Sequence, residues 1–355
     1  MNSSKFRCMV FLLISLGLLV ALGGLTAVVD PFFHYHGPLK GLQYPIDNQR
    51  YQNDGIAKQF AYDAILTGTS MTENFKASEF DTLFGVNSVK TPFNGSSYRE
   101  IHNHLQRAVK ANPNIRLILR GFDGFNLFET VDYVRTDVAF PDYLYDENLP
   151  NDVQYLFNKD ILCDYTLRVL TYTRSGGITT DFDTYSSWAP YSRFGRERVL
   201  ERYDRPERLE QVFPFTEEDA QRLTENILHN AVGLAQENPQ ITFYYYFTPY
   251  SVAYLDQLHQ LGSLERQFEA FRLATELMLE TENIRLFSFY NDFETITNLD
   301  HYKDLEHHTA EINSLLLERM AADEYRLTKE NYEEHWQEVL TFYQNYDYDS
   351  VFGDQ

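Results

Sequence analysis

Cysteine is nearly absent from this chain, with two in 355 residues. Cys8 sits inside an apolar N-terminal run and Cys163 lies mid-chain, so a disulfide framework is excluded and stability must come from a core. For a chain outside the cytoplasm, this argues against a small bridge-built module and favours a bacterial origin. Positive charge is also scarce: 30 Lys and Arg stand against 52 Asp and Glu, a net charge of −22. Such a field repels phosphate backbones and anionic lipid heads, which excludes nucleic acid as a partner. Its ordinary meaning is a solvated surface; an acidic face matched to one ligand is the alternative. There is no internal repeat and no low-complexity tract. What the chain does have is apolar material, 43% hydrophobic and 15% aromatic, enough for a large buried core.

Charge is wholly missing from one stretch, Cys8 to Val29 (CMVFLLISLGLLVALGGLTAVV). As a helix it would be roughly 33 Å long, against a hydrocarbon core of about 30 Å. Lys5 and Arg7 precede it and Asp30-Pro31 ends it. The expectation is a single-pass signal-anchor in the plasma membrane, with residues 1–7 in the cytoplasm and the remainder outside. A cleaved signal peptide is the alternative, with Ala21 and Gly23 as small residues for cleavage, although its apolar region is usually about 7–15 residues.

Residues 30–54 are rich in aromatics, Pro and Gly, and read as an irregular stalk, with Phe32, Phe33 and Tyr35 expected at the headgroup level. His34 and His36 lack further ligands nearby for a metal. From residue 55 to 355 one domain is expected. Five short apolar runs, at 62–66, 86–89, 115–119, 241–247 and 284–289, alternate with helical periodicity. One such helix has Thr216 as N-cap and Asp219 at N3. This alternation predicts an α/β fold, a parallel five-stranded sheet covered on both faces, with its site beyond the carboxyl ends of the strands. A polar stretch at about 123–214, containing Trp188, reads as an insertion over that edge.

Three segments at those strand ends could carry chemistry. Gly68-Thr69-Ser70 follows the first strand and opens a helix, where a dipole and free N–H groups favour developing negative charge. A plain N-cap serine is the competing meaning. The second strand leads into Asn94-Gly95-Ser96, where glycine can bring a backbone N–H close to a ligand, although an ordinary turn would look the same. The last strand is followed by Asp304 and His307 in D-x-x-H spacing, so one loop can set a carboxylate on one imidazole nitrogen while the other faces a nucleophile. That spacing arises about once by chance in a chain of this composition. His301, Asp304, His307 and His308 as a metal site is a further alternative.

Taken in order, YDAILTGTSMTENF, TPFNGSSYREI, RLILRGFDGF, YYYFTPYS and NLDHYKDLEHHTAEIN resemble the SGNH (GDSL-like) hydrolase superfamily over residues 60–320, in particular its membrane-anchored members in surface-polysaccharide and teichoic-acid modification. The resemblance implies a three-layer α/β/α sandwich of flavodoxin-like type, Ser70 as nucleophile, His307 as general base and Asp304 orienting it. The N–H groups of Ser70 and Gly95 would stabilise the oxyanion, with Thr69, Asn94 and Asp123 as neighbours, and no cofactor or metal is implied. Thr69 replaces the family's usual acid. Asp123 stands where the family has a donor asparagine, and an ionised carboxylate cannot donate; Asn126 is the candidate substitute. The implied activity is a serine esterase or O-acyltransferase, typically for acetyl, acting on cell-envelope glycans, with a membrane-bound protein delivering the acyl donor. The alternative is a degenerate relative that binds glycan or scaffolds a surface assembly.

Overall fold

The computed structural model describes residues 3–352. The chain folds as two compact units, Met1–Ala61 with Val138–Asp181, and Tyr62–Asp137 with Phe182–Gln355.

The second unit is built on a six-stranded sheet. Its strands are β1 (Ala64–Thr67), β2 (Ser88–Lys90), β3 (Leu117–Phe122), β4 (Thr242–Phe247), β5 (Ile284–Ser288) and β6 (Arg326–Leu327), in the order β2-β1-β3-β4-β5-β6. The first five are parallel, and each is an almost unbroken buried run, as strands covered on both faces must be. The expected all-parallel, five-stranded sheet is therefore corrected to a mixed one. Arg326 and Leu327 pair antiparallel with Phe287 and Leu286, after a turn in which Asp323 and Tyr325 adopt positive φ. Two residues are too few to show a period, so this edge strand leaves no signal in the sequence.

On one face, Leu66, Leu119, Tyr246 and Phe287 pack with Phe80 of helix Ala77–Phe84 and with Ile312, Leu316 and Met320 of helix Ala310–Ala321. On the other, the Tyr245 hydroxyl donates to the Ala231 carbonyl at 3.0 Å, and Phe247 lies 4.9 Å from Phe271 of helix Leu264–Leu279. Helix Glu217–Ile227 starts in the capping box expected from Thr216 and Asp219. Because β1, β2, β3 and β4 run parallel, their carboxyl ends and the loops that follow lie along one edge.

The first unit carries one helix, Ser3–Val29, long and apolar enough to cross a membrane. Beyond it Asp30 organises the turn, its carboxylate accepting the N–H groups of His34, Tyr35 and His36 at 2.7–3.0 Å and the Tyr155 hydroxyl at 2.6 Å. Phe32 and Phe33 are not headgroup anchors. Both are buried, Phe32 among Tyr51 and, from the returning residues 138–181, Tyr155 and Tyr165, and Phe33 against Tyr44 and Phe60. Tyr35 is half-buried and donates to Asp152 at 2.9 Å.

Candidate active site

β1 ends at Thr67, and the chain turns sharply at Gly68, whose φ of +148° suits glycine. A Cβ there would lie 2.5 Å from the Thr72 methyl and 3.3 Å from the Gly121 nitrogen. This close approach lets the next residues, Ser70–Thr72, form a single 3-10 turn over the sheet edge. Ser70 is its first residue, so its N–H has no acceptor within the turn. Three side chains hold the segment. Lys90, buried at the end of β2, donates its ammonium to the carbonyls of Glu73 and Phe75 at 2.6 and 2.8 Å. Asn313 donates to the Met71 carbonyl at 3.0 Å, and the Trp188 indole N–H donates to the Ser70 carbonyl at 3.1 Å.

The loop Leu299–Thr309 brings the histidine across. The Ser251 hydroxyl donates to the Leu305 carbonyl at 2.7 Å, which ties the loop to the segment leaving β4. Lys303 N–H donates to the His307 carbonyl at 3.0 Å, and Thr309 N–H to that of His301 at 2.8 Å. The result sets Ser70 Oγ 2.8 Å from His307 Nε2, with His307 Nδ1 2.9 and 3.0 Å from the two oxygens of Asp304. An ionised carboxylate has no proton to give, so Nδ1 carries the hydrogen and Nε2 is left to accept the Ser70 hydroxyl. Asp304 also accepts the backbone N–H groups of Glu306 and His307 at 3.1 and 2.8 Å. Burial pushes its carboxyl up, but the His307 ring and these N–H groups outweigh it and hold the pKa at about 2.

Ser70 and His307 line a cavity of about 410 Å³ with Thr69, Asn94, Gly95 and Asp123. Gly95 has φ +58°, and a Cβ there would collide with the Arg135 guanidinium, which donates to the Gly95 carbonyl at 3.1 Å. Asp123 is buried as an acceptor: Thr69, Thr248 and Tyr250 donate their hydroxyls to it at 2.5, 2.8 and 2.6 Å. Asn126 is not among the lining residues, and its amide nitrogen donates to the Ser96 carbonyl at 2.9 Å. The other histidines turn elsewhere, His308 with Nδ1 against the Thr309 carbonyl and His301 with Nε2 against Asn298.

Further lining groups carry no role in the sequence reading: Glu73, Phe125, Tyr250, Lys303 and Glu306. Lys303 and Glu306 are embedded in the same block as Asp304 and His307, so the loop itself was the signal. The Lys303 ammonium lies 3.5 Å from the centre of the Trp188 ring, and burial lowers its pKa against the pull of Asp304 and Glu73. Burial raises the Glu306 carboxyl. Trp188 meets the His307 ring edge-on at 5.3 Å. Its loop is anchored by Asn74, whose side-chain oxygen accepts the N–H groups of Trp188 and Ala189 at 3.1 and 3.0 Å and the Ser187 hydroxyl at 3.2 Å.

No family model, curated protein or solved structure matches this chain.

Proposed function

We propose that this protein is a serine-dependent esterase or O-acyltransferase working through an acyl-enzyme on Ser70, with cell-envelope glycans as the substrate class. One observation carries the reading: a hydroxyl, an imidazole and a carboxylate hydrogen-bonded in series, 2.8 and 2.9 Å apart, the first two lining a cavity on the sheet edge. Ser70 Oγ attacks the acyl carbonyl carbon as its proton passes to His307 Nε2. The developing oxyanion is met by the backbone N–H groups of Ser70 and Gly95. Collapse breaks the ester bond, and His307 returns the proton to the departing oxygen. Water or a sugar hydroxyl then attacks the acyl-Ser70 ester, giving its proton to His307, which passes it to Ser70 as the acyl group leaves. Asp304 holds the productive tautomer and stabilises the transient imidazolium.

The glycan substrate and a membrane-bound donor of the acyl group rest on the sequence resemblance. The N-terminal helix supports a setting at the plasma membrane, where tethering raises the effective concentration of a fixed substrate. One observation favours a binding or scaffold protein instead: Asp123 stands where a donor is expected and is engaged as a triple acceptor. A fluorophosphonate probe separates the readings. The enzyme reading expects covalent labelling that Ser70→Ala abolishes; a folded wild-type protein that takes no label contradicts it.

A further inference from the structure

From Ser4 to Leu22 the N-terminal helix has no buried side chain; burial begins at Gly23 and continues through Thr26 and Val29. The covering residues come from the 149–167 segment of the same unit. A Cβ on Gly23 would lie 2.9 Å from the Phe157 ring, and the Thr166 and Thr26 hydroxyl oxygens are 3.5 Å apart. Depth then follows from helix geometry. If the hydrocarbon core begins just after Arg7, about 30 Å at 1.5 Å per residue ends near residue 27. Gly23 lies roughly 6 Å inside that limit, and Thr26 within about 2 Å of it. Whatever packs on Gly23 shares its depth.

The segment that packs there carries four exposed apolar side chains among polar ones. Leu149, Val153, Phe157 and Leu167 are exposed by 73, 55, 50 and 41% of their areas. Single exposed apolar residues are ordinary on any protein. What distinguishes these is that the other three surround Phe157 in sequence, and Phe157 sits against Gly23 of a helix whose exposed side chains from residue 8 onward are apolar. Asp152 is turned inward onto His34 and Tyr35, while Gln154, Lys159, Asp160 and Asp164 are exposed, Lys159 and Asp160 opening the helical run that continues through Thr166. Lys159 has a long apolar stem that can lie along the interface with its ammonium in water.

We propose that residues 149–167 form a membrane-seated platform, in which Leu149, Val153, Phe157 and Leu167 enter the acyl-chain boundary of the leaflet where the N-terminal helix ends. The partner is the apolar part of phospholipid, since a net charge of −22 gives no attraction to anionic headgroups. The attachment is thus a span plus an interfacial face, which limits how the unit can tilt about the helix. It is independent of the chemistry at Ser70.

The test uses the full chain in phosphatidylcholine vesicles. In a Cys8→Ser, Cys163→Ser background, Val153→Cys and, separately, Leu13→Cys are labelled with a nitrobenzoxadiazole dye. Doxyl-labelled phosphatidylcholine is the quencher. The platform requires quenching at both positions, at 153 strongest with the doxyl group near the headgroup, and reduction of that label by aqueous dithionite several-fold slower than in detergent-free unfolded protein. Quenching at 13 without quenching at 153 overturns the platform and leaves the span. No quenching at either position overturns both.

Discussion

Asp304 holds His307 by the ring and by the backbone, so its ionisation and the histidine's orientation are one event. Its folded pKa of about 2 lies below its ordinary 3.8. Between these values the unfolded chain binds more protons, so the carboxylate stabilises the fold fully above about pH 4 and loses that contribution as pH falls toward 2. Asp304→Asn should flatten the wild-type fall in melting temperature over that window. At neutral pH the amide would offer the imidazole a donor in place of an acceptor and favour the wrong tautomer, with kcat down by about 10⁴-fold and the fold intact by circular dichroism. Equal activity in the variant would remove Asp304 from the site. At this scale the sequence was readable where residues lie just past strand ends, as Ser70, Gly95 and Asp123 do, whereas Asp304 and His307 stand beyond a short helix after β5 and were legible only by their spacing. Asn126 was misleading because a count of three residues from Asp123 says nothing about direction, and its amide is committed to Ser96. Trp188, whose indole bonds the Ser70 carbonyl, lies 118 residues from it in a stretch without period, and no local pattern could assign that contact.

Among elements, the backbone around Trp188 is held by the side chain of Asn74. Asn74→Ala removes an acceptor for three donors, at a cost of about 1 kcal/mol or more for each that stays buried. The expected outcome is a Trp188 wall that no longer stays on His307: kcat/KM reduced roughly tenfold, and tryptophan emission shifted to the red with the Trp336 contribution unchanged. An unchanged kcat/KM would mean that this loop has no part in substrate positioning. The five parallel strands were legible because both of their faces are buried, which leaves continuous apolar runs bounded by turn residues. β1, β2 and β3 begin two residues later than their apolar runs, which start in the turn that feeds the strand, while β4 begins one residue later and β5 at the first residue of its run. β6 was not legible, being two residues placed by a turn rather than by hydrophobic pattern. Phe32 and Phe33 were misread for the opposite reason: aromatics next to an apolar helix suit an interface, but Tyr155 and Tyr165 from distant sequence pack on Phe32, and Tyr44 and Phe60 pack on Phe33.

For the whole molecule, the acidic surface and the apolar N-terminal helix were both plain from composition, whereas the division into two units was not, because it depends on which distant segments meet. The same holds for the site, where Ser70 and His307 are 237 residues apart and only the folded sheet edge makes them neighbours. Everything proposed about activity follows from that neighbourhood. The most direct measurement of it is acid-quenched mass spectrometry with peptide mapping during turnover of an aryl acetate. An acetyl group is expected on the peptide containing Ser70 in the wild type, and none in Ser70→Ala or His307→Ala proteins that remain folded. Acetate release with no acetyl on Ser70, or acetylation of Ser70 that persists undiminished without His307, would contradict that expectation.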